Sequence, residues 1–319
     1  MLRSFLIYLS KAAWAQRLVV GWKFAGRAAS RFVAGTTIEN AIEAVRGLNA
    51  IEINATLDHL GESTSTRADA IKAADDIIEL LDHIDASGVR ANVSVKLTQI
   101  GLALDENLCL QNLERILTRA EKYQNFVRID MEDTPYTDQT LRMYREMRGK
   151  GHVKTGVVVQ SYLYRTEKDT RELLDEGACF RLVKGAYKEP PELAFPKKAD
   201  VDANFDLLTQ IMIDATKGTG SPMISANGRI PPIPAIGSHD PKRLEFARVY
   251  AEKVGLPKLA IEFQMLFGIR RDLQEHYNKE GYPVRVYVPY GTHWYPYFMR
   301  RLAERPANVW FFISNFFRK

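Results

Sequence analysis

The feature that most constrains the fold of this chain is an alternation of short β-rich runs with longer helix-like segments. Between the runs, apolar residues recur at i, i+3, i+4 and i+7, as at Ile77, Ile78, Leu81 and Ile84. Repeated βα units predict a parallel sheet, and eight of them predict a closed (βα)8 barrel in the α/β class. The eight candidate strands are residues 51–56, 92–97, 126–131, 155–160, 180–183, 232–236, 259–264 and 284–288.

The two ends of the chain differ in composition from its body. Residues 1–38 carry six Lys or Arg side chains and no acid, with apolar residues between them. We predict that residues 1–40 form a basic amphipathic helical segment packed on a barrel of residues 41–319, with membrane contact or a targeting presequence as alternatives. A basic stripe does not recur in the rest of the chain, so we do not expect a nucleic-acid partner.

The apolar runs in this sequence are too short to cross a membrane, including the terminal run at residues 309–317. Cys109 and Cys179 lack CxxC spacing, so the sequence predicts neither a disulfide framework nor a zinc site. We therefore expect a cytoplasmic protein, with peripheral contact at the inner face of the membrane as an option. Residues 217–234 are rich in Gly and Pro and predict a long surface loop.

Polar side chains lie on or directly after most of the candidate strands. Because catalytic residues of barrels gather at the C-terminal ends of the strands, these positions predict a site at that rim. The cations among them favour an anionic substrate, a phosphate-bearing cofactor, or both. The rim residues are Lys96, Asp130, Glu132, Gln160, Arg181, Lys184, His239, Glu262, Gln264 and Tyr287.

A helix-like segment near the C-terminus has an unusually polar face. Tyr297, Arg300, Arg301 and Glu304 stand at i, i+3, i+4 and i+7, so a helix presents them together. Two adjacent guanidinium groups beside an aromatic ring suit the binding of a small carboxylate. A solvated surface helix with an Arg–Glu pair is the alternative on spacing alone.

The residues alone leave three classes of protein open. GxGxxG, GxxxxGK[ST], GxSxG and HExxH are absent, which argues against the standard dinucleotide, P-loop, hydrolase and metalloprotease sites, and we expect no catalytic metal. A Schiff-base aldolase would use Lys96 or Lys184. A hydride-transfer enzyme would hold a phosphorylated redox cofactor and a substrate carboxylate. A non-catalytic carboxylate-binding protein explains the arginines but not the acids and amides of the rim.

Taken together, the segments resemble the FAD-dependent proline dehydrogenases, particularly the monofunctional bacterial type. The resemblance runs in order from about residue 40 to the C-terminus. It implies a distorted TIM-like barrel with extra N-terminal helices, whose last helix lies over the barrel mouth. The matching stretches are LGES at 60–63, VSVKL at 93–97, RIDME at 128–132, VQSYL at 159–163, RLVKGAY at 181–187, SHDP at 238–241, EFQMLFG at 262–268, and 297–308 with RRL and PAN.

The resemblance also implies a reaction. L-Proline would lose a hydride from C5 to N5 of FAD, giving Δ1-pyrroline-5-carboxylate as the first step of proline catabolism. Electrons would pass on to membrane quinone, and a pyrroline-5-carboxylate dehydrogenase would consume the product. Arg300, Arg301 and Lys96 would bind the carboxylate of proline. The walls of the ring pocket would be Leu266, Tyr287 and Tyr297.

The remaining roles follow from the same resemblance. Arg181 would hydrogen-bond near N5 of the flavin, and Asp130 would orient its neighbours beneath the site. Glu62 would pair with Arg300 and gate the substrate. Ser238 stands where the family more often has Thr, and the serine retains the hydroxyl group. The flavin-contacting positions would be Met131, Gln160, Arg181, Lys184, Gly185, Ala186, Ser238, His239 and Glu262.

Overall fold

A closed barrel of parallel strands organises the chain. The computed structural model describes Ala12, residues 29–61 and residues 64–304, with side chains up to residue 302. Within these residues each strand pairs with the next, and β8 pairs back with β1 to close the barrel. The eight strands are β1 (Asn54–His59), β2 (Ala91–Val95), β3 (Val127–Ile129), β4 (Thr155–Gln160), β5 (Cys179–Val183), β6 (Pro234–Gly237), β7 (Glu262–Leu266) and β8 (Val284–Tyr290).

Helices alternate with these strands, as the sequence pattern predicted. The N-cap of the second helix is Thr66, whose hydroxyl accepts a hydrogen bond from the Asp69 amide, and Gly88 ends that helix in a left-handed conformation. The helices are α1 (Ile38–Asn49), α2 (Arg67–Ser87), α3 (Glu106–Lys122), α4 (Thr137–Gly149), α5 (Thr166–Asp175), α6 (Lys198–Gly218), α7 (Pro241–Val254), α8 (Arg271–Lys279) and α9 (Trp294–Glu304).

The hydrophobic core lies between the strands and the helices, and the interior of the barrel is partly polar. Ile77, Leu81 and Ile84 of α2 belong to the core that packs against the strands. Inside the barrel, Arg285 forms an ion pair with Glu262, with 2.9 Å between Nε and Oε1. Both side chains are almost completely buried. Charges at this depth are tolerated only when they are paired and hydrogen-bonded.

The segment predicted as a long surface loop partly closes the bottom of the barrel. Lys217 and Gly218 belong to α6, and the irregular chain follows them up to β6. Gly228 and Arg229 are buried. Their carbonyl oxygens accept hydrogen bonds from Arg285 and Asn92, which stand near the starts of β8 and β2. The prediction of a surface loop was therefore wrong for this part of the segment.

The predicted strands all occur, but several are displaced along the chain, most of all β1 and β7, which begin at Asn54 and Glu262 instead of residues 51 and 259. Residues 155–160 were predicted and observed without change. In contrast, β1 runs to His59 and β7 begins only at Glu262. The apolar residues that precede Glu262 include a short 3-10 helix, Lys258–Ala260, directly after Pro257. Leu259 in this turn is 47% exposed, so an apolar residue of an exposed turn was included in the predicted strand.

The last helix lies where the family resemblance implied. Its apolar residues, including Trp294, Phe298 and Leu302, pack with Phe32 and Leu60 in a second hydrophobic cluster. Its residues Tyr297, Arg300 and Arg301 line a cavity at the C-terminal ends of the strands. The distorted barrel with its last helix over the mouth is thus confirmed. Among the described residues, no helix is both long and apolar enough to span a membrane.

Candidate active site

A cavity of about 400 Å³ opens at the C-terminal ends of the strands and beneath α9. Side chains of strands, of the loops that follow them and of α9 all contribute to its wall. This is the face at which (βα)8 barrels carry their active sites. The lining residues are Asp58, Lys96, Asp130, Met131, Val158, Gln160, Arg181, Val183, Lys184, Gly185, Ala186, Tyr187, Gly237, Ser238, His239, Gln264, Met265, Leu266, Tyr287, Tyr297, Arg300 and Arg301.

Nearly all site residues predicted from the sequence meet in this cavity. Glu262 and Glu132 do not. Glu262 opens β7 and is buried against Arg285, below the cavity floor. Glu132 is buried away from the cavity, where its carboxylate accepts hydrogen bonds from the amide and hydroxyl of Thr98. Glu62, the predicted gate, lies outside the described residues. The predicted residues that line the cavity are Lys96, Asp130, Met131, Gln160, Arg181, Lys184, Gly185, Ala186, Ser238, His239, Gln264, Leu266, Tyr287, Tyr297, Arg300 and Arg301.

Asp130 is the centre of a hydrogen-bond network on the cavity floor. Its carboxylate accepts hydrogen bonds from Arg181 and Ser94, both at 2.6 Å, and from the hydroxyl of Tyr287 at 2.7 Å. Lys96 Nζ lies 3.3 Å from the same carboxylate. Burial alone would raise the pKa of Asp130, but the charges of Lys96 and Arg181 and the hydrogen bonds lower it to about 2. Asp130 therefore stays ionised near neutral pH and fixes its neighbours in place.

Asp58 is a cavity residue that the sequence analysis missed. It lies on β1, only 1% exposed, with Oδ1 at 3.0 Å from Lys96 Nζ. The predicted first strand ended at Thr56, which left Asp58 in an apparent loop. Burial raises the pKa of Asp58, while the nearby charge of Lys96 lowers it in part. The two carboxylates that share Lys96 thus have opposite pKa shifts.

Arg181 is held by groups on both sides of the barrel. Besides Asp130, it donates to Gln264 Oε1 at 3.3 Å, and Gln264 in turn donates to Glu262 at 2.6 Å. Because Glu262 accepts the amide hydrogen of Gln264, the amide oxygen is turned toward Arg181. The guanidinium also lies over the ring of Tyr287, with 5.4 Å between Cζ and the ring centroid.

The loop after β5 carries a glycine that no other residue could replace without strain. Gly185 has φ of 109°, and an added Cβ would lie 2.4 Å from the ring of Tyr162. Beside it, Lys184 Nζ is held between Asp202 at 2.5 Å and Asp240 at 2.7 Å. These contacts link the loop to α6 and to the start of α7, so the backbone of the loop is fixed at the wall of the cavity.

Buried polar atoms of the cavity without a hydrogen-bond partner within the described residues include Gln160 Oε1 and Asp58 Oδ2, which are acceptors, and Arg181 Nε, a donor. Leaving such groups unpaired is costly, so they indicate a polar ligand. An isoalloxazine ring offers an N–H donor and ring nitrogen and carbonyl acceptors along one edge. The residues present therefore fit a flavin.

The fold and the site define a (βα)8 barrel with a cavity beneath its last helix that is lined by several cationic side chains. Residues 41–313 match the family described as Proline dehydrogenase. The chain belongs to this family, and its enzymatic activity is the oxidation of proline.

Similar proteins support the assignment over almost the whole chain. Proline dehydrogenase 2 of Bacillus subtilis (strain 168) is 38% identical over 318 residues, covering 99% of each chain. Proline dehydrogenase of Deinococcus radiodurans is 42% identical over 291 residues, or 90% of this chain and 89% of that one. Proline utilization A from Bdellovibrio bacteriovorus, solved after inactivation by N-propargylglycine, superimposes with a TM-score of 0.79 and 25% identity. That match covers 92% of this chain and 34% of that chain.

Proposed function

We propose that this enzyme is FAD-dependent and oxidises L-proline to Δ1-pyrroline-5-carboxylate. The observation that carries the proposal is that one cavity is lined both by Arg300 and Arg301 on α9 and by the buried network of Lys96, Asp130 and Arg181. Guanidinium groups bind a carboxylate in a fixed orientation. When bound, the flavin would supply a hydride acceptor at N5 and a route for electrons to membrane quinone. The Schiff-base aldolase has no support from the family to which the chain belongs.

In this proposal, residues of the chain orient the substrate and exclude water. Arg300, Arg301 and Lys96 hold the carboxylate of proline, while Leu266, Tyr287 and Tyr297 enclose its ring. Because both the carboxylate and the ring of proline are held, C5 faces in one direction, and this alignment accounts for a large part of the rate. Asp130, ionised and hydrogen-bonded by four groups, orients Lys96, Arg181 and Tyr287.

The residues assigned to the flavin surround the other part of the cavity. Arg181 Nε and Gln160 Oε1, which have no hydrogen-bond partner within the described residues, would bond the polar edge of the ring. His239 accepts a hydrogen bond from the Leu266 amide at 2.8 Å through Nε2, which assigns its proton to Nδ1. Met131, Lys184, Gly185, Ala186 and Ser238 complete the proposed contact surface. The role of Glu62 as a gate stays a prediction.

An anaerobic absorbance experiment tests the cofactor and the substrate together. The purified enzyme is expected to show flavin bands that bleach when L-proline is added, because hydride transfer reduces the ring. D-Proline, which has its carboxylate on the other side of the ring, is the matched control and should bleach the bands far more slowly. A yellow protein unaffected by L-proline would refute the substrate, and a protein that binds no FAD would refute the cofactor.

We propose further that residues 1–40 form a basic amphipathic segment that brings the enzyme to the cytoplasmic face of the membrane, where quinone is reduced. Most of this segment lies outside the described residues. Its six basic side chains favour anionic lipid. Sedimentation with anionic vesicles should recover the enzyme at low salt and release it at high salt. Zwitterionic vesicles are the control, and equal recovery with both lipids would contradict the proposal.

The product would pass to a pyrroline-5-carboxylate dehydrogenase as metabolic neighbour. One relative, the Bifunctional protein PutA of Escherichia coli (strain K12), is 26% identical over 88% of this chain, and the match covers 23% of that protein.

A further inference from the structure

A buried carboxylate oxygen of the cavity has no hydrogen-bond partner in the part of the chain that the structure describes. Asp58 lines the cavity, and its Oδ1 contacts Lys96 at 3.0 Å. Its Oδ2 is buried, and no described group bonds to it. An unpaired carboxylate oxygen in this position loses the stabilisation that water would provide. Asp130, which contacts the same Lys96, is instead saturated by Ser94, Arg181 and Tyr287.

The difference between the two carboxylates separates their chemical roles. Asp130 has a depressed pKa and remains an anion, whereas burial raises the pKa of Asp58. When the environment shifts the pKa values of two neighbouring titratable groups in opposite directions, one group is suited to hold charge and the other to exchange a proton. The free Oδ2 is the atom on which such a proton could reside.

The proposed reaction requires a proton acceptor. Proline in water is a zwitterion whose ring nitrogen is a secondary ammonium without a lone pair. The C5 hydride can leave only when the nitrogen lone pair is free to form the C5=N double bond. One proton must therefore leave the nitrogen before or during hydride transfer. None of the roles assigned above accounts for that proton.

We propose that Asp58 accepts the amine proton of the substrate through Lys96. Lys96 first gives a proton to Asp58, which becomes a neutral carboxyl group, and then takes a proton from the substrate nitrogen. The net result is a neutral amine, a Lys96 ammonium and a protonated Asp58. A bound flavin would supply the acceptor for the C5 hydride and its electron pair, while the freed nitrogen lone pair forms the C=N bond. Asp58 acts through Lys96 and is a positioning residue for the reaction.

The titratable surroundings of Asp58 are consistent with this role. Lys96, Asp130 and Tyr287 act on it from the ends of β2 and β3 and from β8. His59, the next residue on β1, and Tyr290 on β8 also sense its charge. Arg181 balances Asp130, so the charges of the floor sum to zero when Lys96 is cationic and Asp58 is ionised. Taking up the amine proton adds one positive charge to the floor. The negative charge of the substrate carboxylate, bound beside the floor, offsets it.

The test compares the Asp58→Asn enzyme, which retains the side-chain volume but cannot take up the proton, with the wild type. We expect anaerobic flavin bleaching by L-proline at neutral pH to be about 100-fold slower or more, the usual loss on removal of a proton acceptor. The variant rate should rise with pH without reaching the wild-type plateau, because hydroxide replaces Asp58. Thr56→Val is the matched control on β1, since it removes a buried hydrogen bond to Asn92 outside the cavity. It should keep the wild-type pH profile.

A second readout separates proton transfer from positioning of Lys96. Tetrahydrofuran-2-carboxylate has the ring and carboxylate of proline but no amine proton, and calorimetry can measure its binding to the holoenzyme. Its Kd is expected to be unchanged by Asp58→Asn. A wild-type bleaching rate and pH profile in the variant would overturn the inference, and so would a loss of analogue affinity equal to the loss of rate. This inference rests on the proposed function, whose own failure would appear as a wild-type enzyme that L-proline does not bleach.

Discussion

Replacing Arg300 or Arg301 by methionine is expected to raise KM for proline about 30- to 700-fold while the flavin remains bound. Both side chains line the cavity from α9, and Arg301 also lies over the ring of Tyr297, with 5.1 Å between Cζ and the ring centroid. Losing a charged partner of a desolvated carboxylate costs about 2–4 kcal/mol, which corresponds to this range of affinity. Methionine retains most of the length and the apolar stem, so packing of the helix is preserved.

Steady-state kinetics and flavin absorbance measure the two parts of this prediction separately. Pyrrolidine, which has the ring of proline without the carboxylate, should be a poor substrate that the variants and the wild type use equally. Arg248→Met is the matched control, because Arg248 forms its ion pairs with Glu245 and Glu252 on the surface of α7. An unchanged KM for proline in both variants would contradict the assigned role.

The barrel could be predicted from the sequence because its strands and helices differ in length and in the spacing of their apolar residues. The run at 155–160, TGVVVQ, is buried throughout, as central parallel strands are, and its bounds were predicted correctly. The last helix could be placed over the mouth only through the family resemblance. Its spacing indicated a shared polar face but left open what that face would meet.

Two differences between the predicted rim and the observed cavity follow from the strand boundaries. A barrel strand turns alternate side chains inward, so a shift along the strand changes the depth at which each of them lies. On β1 the predicted end at Thr56 left Asp58 outside the strand. In the structure the strand continues to His59, and Asp58 lines the cavity. On β7 the predicted strand ended at Gln264, which put Glu262 near the rim. Because β7 runs from Glu262 to Leu266, Gln264 and Leu266 reach the cavity and Glu262 lies beneath it.

The position of Glu262 leads to a prediction that separates stability from cofactor binding. Glu262 binds Arg285 through two contacts, at 2.9 Å and 3.0 Å, and neither side chain is more than 1% exposed. Glu262→Gln is expected to lower the free energy of unfolding by about 3–5 kcal/mol, because it leaves the Arg285 charge buried without a counterion. The affinity for FAD should change little at a temperature where the variant is folded, since Glu262 does not line the cavity.

Urea unfolding of the apoprotein gives the stability, and titration with FAD gives the affinity. Glu245→Gln, which removes an exposed partner of Arg248, is the control and should cost less than about 1 kcal/mol. The double variant Glu262→Met, Arg285→Met should recover much of the lost stability, because apolar side chains of similar volume remove both charges together. A fully stable Glu262→Gln protein that no longer binds FAD would instead support the contact implied by the family resemblance. In that case the polar chain from Glu262 through Gln264 to Arg181 would act on the flavin.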